Sequence, residues 1–303
     1  MQVRCGLRQW RAPKALPSRC WPCPTLCSKT FDTVCLLALA IGQSEAWPLL
    51  LASNRDEFFH RPTQPLARWR SDSGHLIISG RDELAGGTWL GLTPGGRVAL
   101  LTNVREPGAS VVGRSRGELP LAWLHSSETA EHFLARLEGH AYSGFNLVIG
   151  DMRAGSWHWA SNRQPTPSGV AAGWQQRALP PGVYGLSNAF LDTPWPKTQQ
   201  LKRAMQAAVL GGGNPAQVLW PALADANEAS PTDMPQTGVA PDMERQLSSA
   251  WVRFADGRYG TRASTLVQAS PAAQGWAVEV QEKTWTPEGA CSLRQERLHW
   301  PSA

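Results

Sequence analysis

The chain has 303 residues and a mass of 33.0 kDa, with 42% hydrophobic and 17% charged residues, a composition that supports a packed core and excludes wholesale disorder. No stretch approaches the roughly 18 consecutive apolar residues that a bilayer-spanning helix needs. The longest candidate runs only from Val34 to Ile41.

The net charge of +5 is confined to one end. Residues 1–33 hold Arg4, Arg8, Arg11, Lys14, Arg19 and Lys29 against Asp32 alone, and residues 34–303 hold 23 basic and 23 acidic side chains. A neutral body lacks the basic surface that tracks phosphates, so nucleic acid is not an expected partner. Cys5, Cys20, Cys23 and Cys27 share that leader, whose Arg-rich, acid-poor composition is like that of an organellar transit peptide and lacks the apolar stretch of a secretory signal. Cys20-x2-Cys23-x3-Cys27 has neither a second pair nor a nearby His, so no metal site is expected there. Residues 1–33 are therefore expected to lie outside the fold, as a mis-assigned start or a cleaved segment, with 34–303 as one domain and no cofactor or metal.

The body opens with an apolar strand at Val34–Ala40, a Gly42-Gln43-Ser44-Glu45 turn and a second strand at Trp47–Ala52. Strands follow at Leu76–Ser79, Thr88–Leu92 and Arg97–Leu101, the last two joined by Pro94-Gly95-Gly96. Helical spacing then places Leu119–Leu124 and Ala130–Leu137 on two short helices, with Ser127 or Thr129 as cap. Strands return at Phe145–Gly150, Ser156–Ala160 and Val183–Ser187. A helix at Lys197–Leu210 stops at Gly211-Gly212-Gly213, and Pro215–Leu223 forms another. Residues 225–242, with Pro231, Pro235, Gly238 and Pro241, read as a surface loop, and strands at Thr261–Gln268, Trp276–Thr284 and Leu293–His299 close the chain. Elements in blocks rather than strict βαβ alternation predict an α+β layered fold.

Asn54-Arg55-Asp56-Glu57 places four polar groups after a strong apolar strand, where loops often carry sites. By itself this reads more readily as a polar turn with an Arg-carboxylate pair than as a site, and Cys35 by itself reads as a small buried hydrophobe. His125, His132 and His140 suit one helical face better than a metal site. Of the 15 Trp, Trp89, Trp157, Trp159 and Trp195 are candidates to line an apolar pocket.

Cys35, Asn54-Arg55-Asp56-Glu57-Phe58, Gly86-Gly87-Thr88-Trp89-Leu90-Gly91, Leu101-Thr102-Asn103-Val104-Arg105 and Gly185-Leu186-Ser187-Asn188 occur in order. Together they resemble the NRDE family, also called the transport and Golgi organisation protein 2 family, from about Val34 onward. That family in turn is similar to the cysteine branch of the N-terminal-nucleophile hydrolases, which includes penicillin V acylase and conjugated bile acid hydrolase. The resemblance implies a four-layer αββα sandwich with the catalytic Cys first on a strand. It implies Cys35 as nucleophile, Arg55 or Asp56 as its flanking charged residues, Asn103 or Asn188 as oxyanion donors, and Arg262 as the branch's late arginine. Thr93-Pro94-Gly95-Gly96 departs from the branch's Asn-Glu-x-Gly turn, which leaves one oxyanion donor open.

An N-terminal thiol carries its own base, because an α-amine titrates at about 7.7–8.0. Family members ordinarily begin Met-Cys where this chain has Val34-Cys35, so initiation or cleavage at 34 would expose that amine. The expected activity is C–N hydrolysis of a small acylated metabolite through a Cys35 thioester, in a cytoplasmic protein. The competing expectation is a non-catalytic carrier of lipid or haem, for which His60, His158 or Cys35 are the axial candidates.

Overall fold

The computed structural model describes residues 35–107, 113–167 and 169–302; the basic leader at 1–33, its cysteines and Val34 lie outside the described residues. Two antiparallel sheets form its centre. The first takes β1 (Cys35–Ile41), β2 (Leu49–Phe58), β10 (Gly182–Leu186), β11 (Tyr259–Ala272), β12 (Gly275–Trp285) and β13 (Cys291–Pro301), in the order β10-β1-β2-β11-β12-β13. The second runs in sequence order through β3 (Thr63–Arg70), β4 (Leu76–Asp82), β5 (Leu90–Leu92), β6 (Arg97–Asn103), β7 (Phe145–Asp151), β8 (Ser156–Thr166) and β9 (Gly169–Ala178).

Strand pleating sorts the side chains into layers, because alternate residues point to opposite faces. Leu37 and Leu39 of β1 meet Leu51 of β2 and, from the other sheet, Ile78, Leu100 and Val148 in one buried cluster between the sheets. The intervening Leu36, Ala38 and Ala40 pack outward against Leu201 and Met205 of α3 (Pro196–Leu210) and Leu219 of α4 (Ala216–Leu223). On the far side, Ala99, Leu147 and Ile149 pack against Trp123 of α1 (Glu118–His125) and Phe133 of α2 (Ala130–Ala135). The order helix, sheet, sheet, helix is the expected αββα sandwich. It also explains why β1 reads as an unbroken apolar run: both of its faces are buried.

Three expectations need correction. The polar run at Asn54 is not a loop at a strand end, since β2 continues to Phe58 with Asn54, Arg55, Asp56 and Glu57 all buried between β1 and β11. Most of their polar groups find internal partners, Asn54 Oδ1 and Asp56 Oδ2 excepted, which lets the strand carry them inward. Two strands, β3 and β9, were not anticipated. Both are outer strands of their sheet and largely exposed, so neither writes an apolar alternation into the sequence. The 225–242 loop ends in a short helix, α5 (Pro241–Gln246), whose Glu244 is buried.

Candidate functional site

Cys35 begins β1 and stands opposite Arg55 of β2, in a row that continues through Ala263 of β11 to Thr284 of β12. The row shares one face, and by the pleat that face is the one Leu37 and Leu39 present to the other sheet. β10 pairs with β1 only from Leu186 opposite Leu37, so among the described residues no strand flanks the first residues of β1 on that side. Ser187 takes over there, its hydroxyl donating to the Cys35 carbonyl at 2.8 Å. The start of β1 is thus a corner at which the inter-sheet layer and the helix layer meet.

The inter-sheet side of the corner is held by Arg55. Its Nη2 meets Asp82 Oδ2 of β4 at 3.1 Å and Glu57 Oε2 at 3.4 Å, and its guanidinium lies 4.3 Å over the Trp89 ring. Arg61 adds a 2.6 Å contact to the same Asp82 oxygen. Burial works against the Asp82 carboxylate, but these arginines and the Ala85 N–H bring it below the ordinary range. Arg55, Thr63, Trp89, Arg262 and Glu282 line a narrow cleft that continues from the Cys35 row.

Arg262 reaches this place through an irregularity. Thr261 pairs with Asp56 and Ala263 with Arg55, so Arg262 is an extra residue in β11, a bulge that re-aims its side chain. Its Nη1 donates to the carbonyls of Phe58, at 3.0 Å, and Arg61, at 2.5 Å, which fastens the turn after β2.

Asp56 faces the helix side and is completely buried. The Thr261 hydroxyl donates to Oδ1 at 2.6 Å, while Oδ2 has no hydrogen-bond partner. Burial raises its carboxyl to about 6, against the opposing charges of Lys197, Arg105 and Arg55. Lys197, only 3% exposed in the first turn of α3, donates from Nζ to the Leu247 carbonyl at 2.8 Å. Burial brings its ammonium down to about 8, with Asp56 supporting the charge and Arg105 opposing it. The Cys35 thiol is pushed up to about 12, first by burial and then by the Asp56 carboxylate, Arg55 and the Asp56 N–H offsetting part of this. At rest it is a neutral thiol.

Asn188 Nδ2 donates to the Asn103 carbonyl at 2.9 Å, and Asn188 Oδ1 accepts from Ser187, so both asparagines are tied to the β1 corner through Ser187. Arg105 ion-pairs with Glu244 at 2.8 Å, with Trp195 under its guanidinium at 5.0 Å. Trp157 and Trp159, expected near a pocket, instead fill the inter-sheet core. The structure therefore groups Cys35, Arg55 and Asp56 at one corner, with Asn103 at the end of β6, Asn188 on the loop after β10 and Arg262 across the cleft.

The residue that sequence reading missed is Lys197. A signal was present: the first helical turn favours acidic side chains, and α3 opens Pro196-Lys197 with no acid in that turn. A cation placed against the helix dipole invites a search for the anion that holds it there, and Asp56 answers.

A sequence model described as Transport and Golgi organisation 2 matches residues 34–287. The chain is 36% identical over 240 residues to the Transport and Golgi organization protein 2 homolog of Bos taurus, and 32% identical over 237 residues to the homolog of Mus musculus. Each alignment covers 73% of this chain and 82% of the relative. The Drosophila melanogaster Transport and Golgi organization protein 2 is 27% identical over 251 residues, covering 74% of this chain and 83% of its own. Among solved structures, the Caenorhabditis elegans N-acylethanolamine-hydrolyzing acid amidase ortholog superposes with a TM-score of 0.43 at 12% identity, over 76% of this chain and 91% of that one.

Proposed function

The chain belongs to the Transport and Golgi organisation 2 family, and on that footing we propose that it is a cysteine amide hydrolase in which Cys35 attacks a small acylated metabolite. The observation that carries the reading is the placement, at the start of β1, of the buried Cys35 thiol beside the β2 position of Asp56, a buried carboxylate whose Oδ2 lacks a partner. An unpaired carboxylate oxygen in a buried site costs free energy unless a donor fills it. The α-ammonium of Cys35, once residue 35 is the first of the chain, is such a donor.

In that form the α-amine, at about 7.7–8.0, accepts the Sγ proton as sulfur bonds the acyl carbon. The carbonyl π pair moves to oxygen and then returns to expel the amine, which takes the proton. Water then cleaves the thioester by the reverse proton path. Asp56 holds the ammonium, and Asn103 and Asn188 are the residues proposed to serve the oxyanion, with Arg55 and Arg262 along the cleft that receives the acyl side. A thiol at about 12 makes the base indispensable, because so little thiolate exists without it.

The test compares protein beginning at Cys35 with its Cys35→Ser variant on a panel of N-acylated amines. Release of amine by the first, lost at least about 100-fold in the second, supports the reading. Saturable ligand binding without amine release from either would put the carrier of a small ligand, haem included, in its place.

A further inference from the structure

The apolar layer between the sheets changes character at its Cys35 end. Leu100 of β6 and Val148 of β7 face the shared core, and two positions along the same faces stand Thr102 and Asn146, both buried. These two polar side chains belong to a chain of hydrogen bonds that starts in the second sheet. The Trp159 indole N–H of β8 donates to Asn146 Oδ1 at 3.2 Å. Asn146 Nδ2 donates to Thr102 Oγ1 at 3.2 Å and to the Ala189 carbonyl at 2.8 Å, which occupies its whole amide. The Thr102 hydroxyl donates to the Ser187 carbonyl at 2.7 Å, and the Ser187 hydroxyl donates to the Cys35 carbonyl at 2.8 Å.

Every donor in this series points toward Cys35, an order in which each bond polarises the next. The Arg105 N–H, just past β6, also donates to the Asn188 carbonyl at 2.7 Å. Three successive carbonyls, those of Ser187, Asn188 and Ala189, are therefore each held from the side of the second sheet. Apolar side chains of the same shape would fill the space of Thr102 and Asn146 at similar stability, because a buried hydrogen bond nets little over a packed isostere. What the polar chain adds is direction. Its last bond falls where β10 has ceased to pair with β1, the place at which a strand end frays unless it is tied down.

We propose that Asn146 is a positioning residue for Cys35, acting through Thr102 and the clamped Ser187–Ala189 segment to fix the first residue of β1. The inference rests on the reading of Cys35 as the working residue and adds to it the support that the second sheet gives.

The experiment uses the full 303-residue chain and iodoacetamide at pH 8. Mass spectrometry follows alkylation of the Cys35 peptide as a ratio to exposed Cys291 in the same sample, so changes in reagent cancel. In the native chain the buried Cys35 thiol reacts only when the start of β1 opens, and the ratio is low. Asn146→Ala, Thr102→Val and Ser187→Ala are each expected to raise it at least about 10-fold, the change that losing a buried hydrogen bond makes in a local opening equilibrium. Thr102→Val is isosteric and interrupts the chain even if Asn146→Ala does not fold. Thr102→Ser keeps the hydroxyl and is expected to keep the native ratio. The double variant Thr102→Val with Ser187→Ala should raise the ratio no further than the larger single change, because both break one series. Phe133→Leu loosens the helix layer on the far side of the second sheet and should lower the melting temperature without raising the ratio. A native ratio in folded Thr102→Val, effects of Thr102→Val and Ser187→Ala that multiply in the double variant, or an equal rise in Phe133→Leu overturns the inference. If the expected ratios hold while protein beginning at Cys35 releases no amine, the hydrolase reading fails and the positioning of Cys35 stands.

Discussion

Asp56 and Glu83 stand in the same Ser-x-Arg-Asp-Glu context one position apart, at Ser53–Glu57 and Ser79–Glu83, and the fold gives them opposite environments. Asp56 is fully buried against Thr261 and near Lys197, whereas Glu83 is exposed and accepts a 2.8 Å bond from Gln64. Asp56→Asn is isosteric and is expected to reduce amine release by about 100-fold or more, while Glu83→Ala stays within about 0.5 kcal/mol of native stability and leaves the rate unchanged. Equal losses in both, with folding intact by circular dichroism, would remove Asp56 from the site. At this scale the sequence exposed the polar cluster but not its division of labour. Arg55 and Glu57 face the other sheet while Asn54 and Asp56 face the helices, a sorting that becomes readable only once the strand is known to run through them. Asn54 is structural: its amide donates to the carbonyls of Leu223, at 2.8 Å, and Ala250, at 2.7 Å, fixing the end of α4.

At the level of elements, the Gly86-Gly87-Thr88-Trp89-Leu90-Gly91 motif does its work through backbone approach. Gly86 has a φ of 72°, and a Cβ on Gly87 would lie 2.4 Å from the Gly117 carbonyl group, whose oxygen accepts the Thr88 N–H at 3.0 Å. This contact seats the loop before α1 and leaves Trp89 beneath Arg55. Gly87→Ala is expected to destabilise the protein by about 1–3 kcal/mol, as overpacking against backbone does, and to slow Cys35 alkylation only as far as the Arg55 row moves. A melting temperature equal to native would show that the loop yields at no cost. The motif's presence was legible in the sequence; its partner Gly117, 30 residues on, was not, because close backbone approach leaves no periodic trace. The outer strands β3 and β9 were illegible for a related reason, having too little buried surface to pattern.

Across the whole molecule, the two sheets are joined by polar bridges as well as by the shared core. The Trp300 N–H of β13 donates to the Thr93 carbonyl after β5 at 2.8 Å. Glu282 of β12 accepts from the Leu66 N–H at 2.7 Å, a donor freed by the register shift in β3. Burial raises the Glu282 carboxyl to about 7, above its ordinary 4.5, so the folded state holds its proton more tightly than the unfolded chain does. Its contribution is therefore complete below about pH 4.5 and is lost as pH rises through about 7, an effect on the order of 3 kcal/mol. Glu282→Gln keeps the acceptor for Leu66 and removes the titration, so its denaturation midpoint should gain on the native protein between pH 5 and 8. A constant difference over that range would contradict the assignment. Removal of residues 1–33, where the basic and cysteine bias ends abruptly, is expected to leave cooperative unfolding with a melting temperature lowered by less than about 10 °C.

Cys35 as nucleophile is the central claim, and its direct measurement is the mass of the acid-quenched protein during turnover of an N-acyl amide. Protein beginning at Cys35 should carry one acyl group, mapped to the Cys35 peptide and cleared by neutral hydroxylamine as a thioester is, with no adduct in Cys35→Ser. Amine release with no adduct on Cys35 at any quench time, or undiminished release by Cys35→Ala, would contradict it.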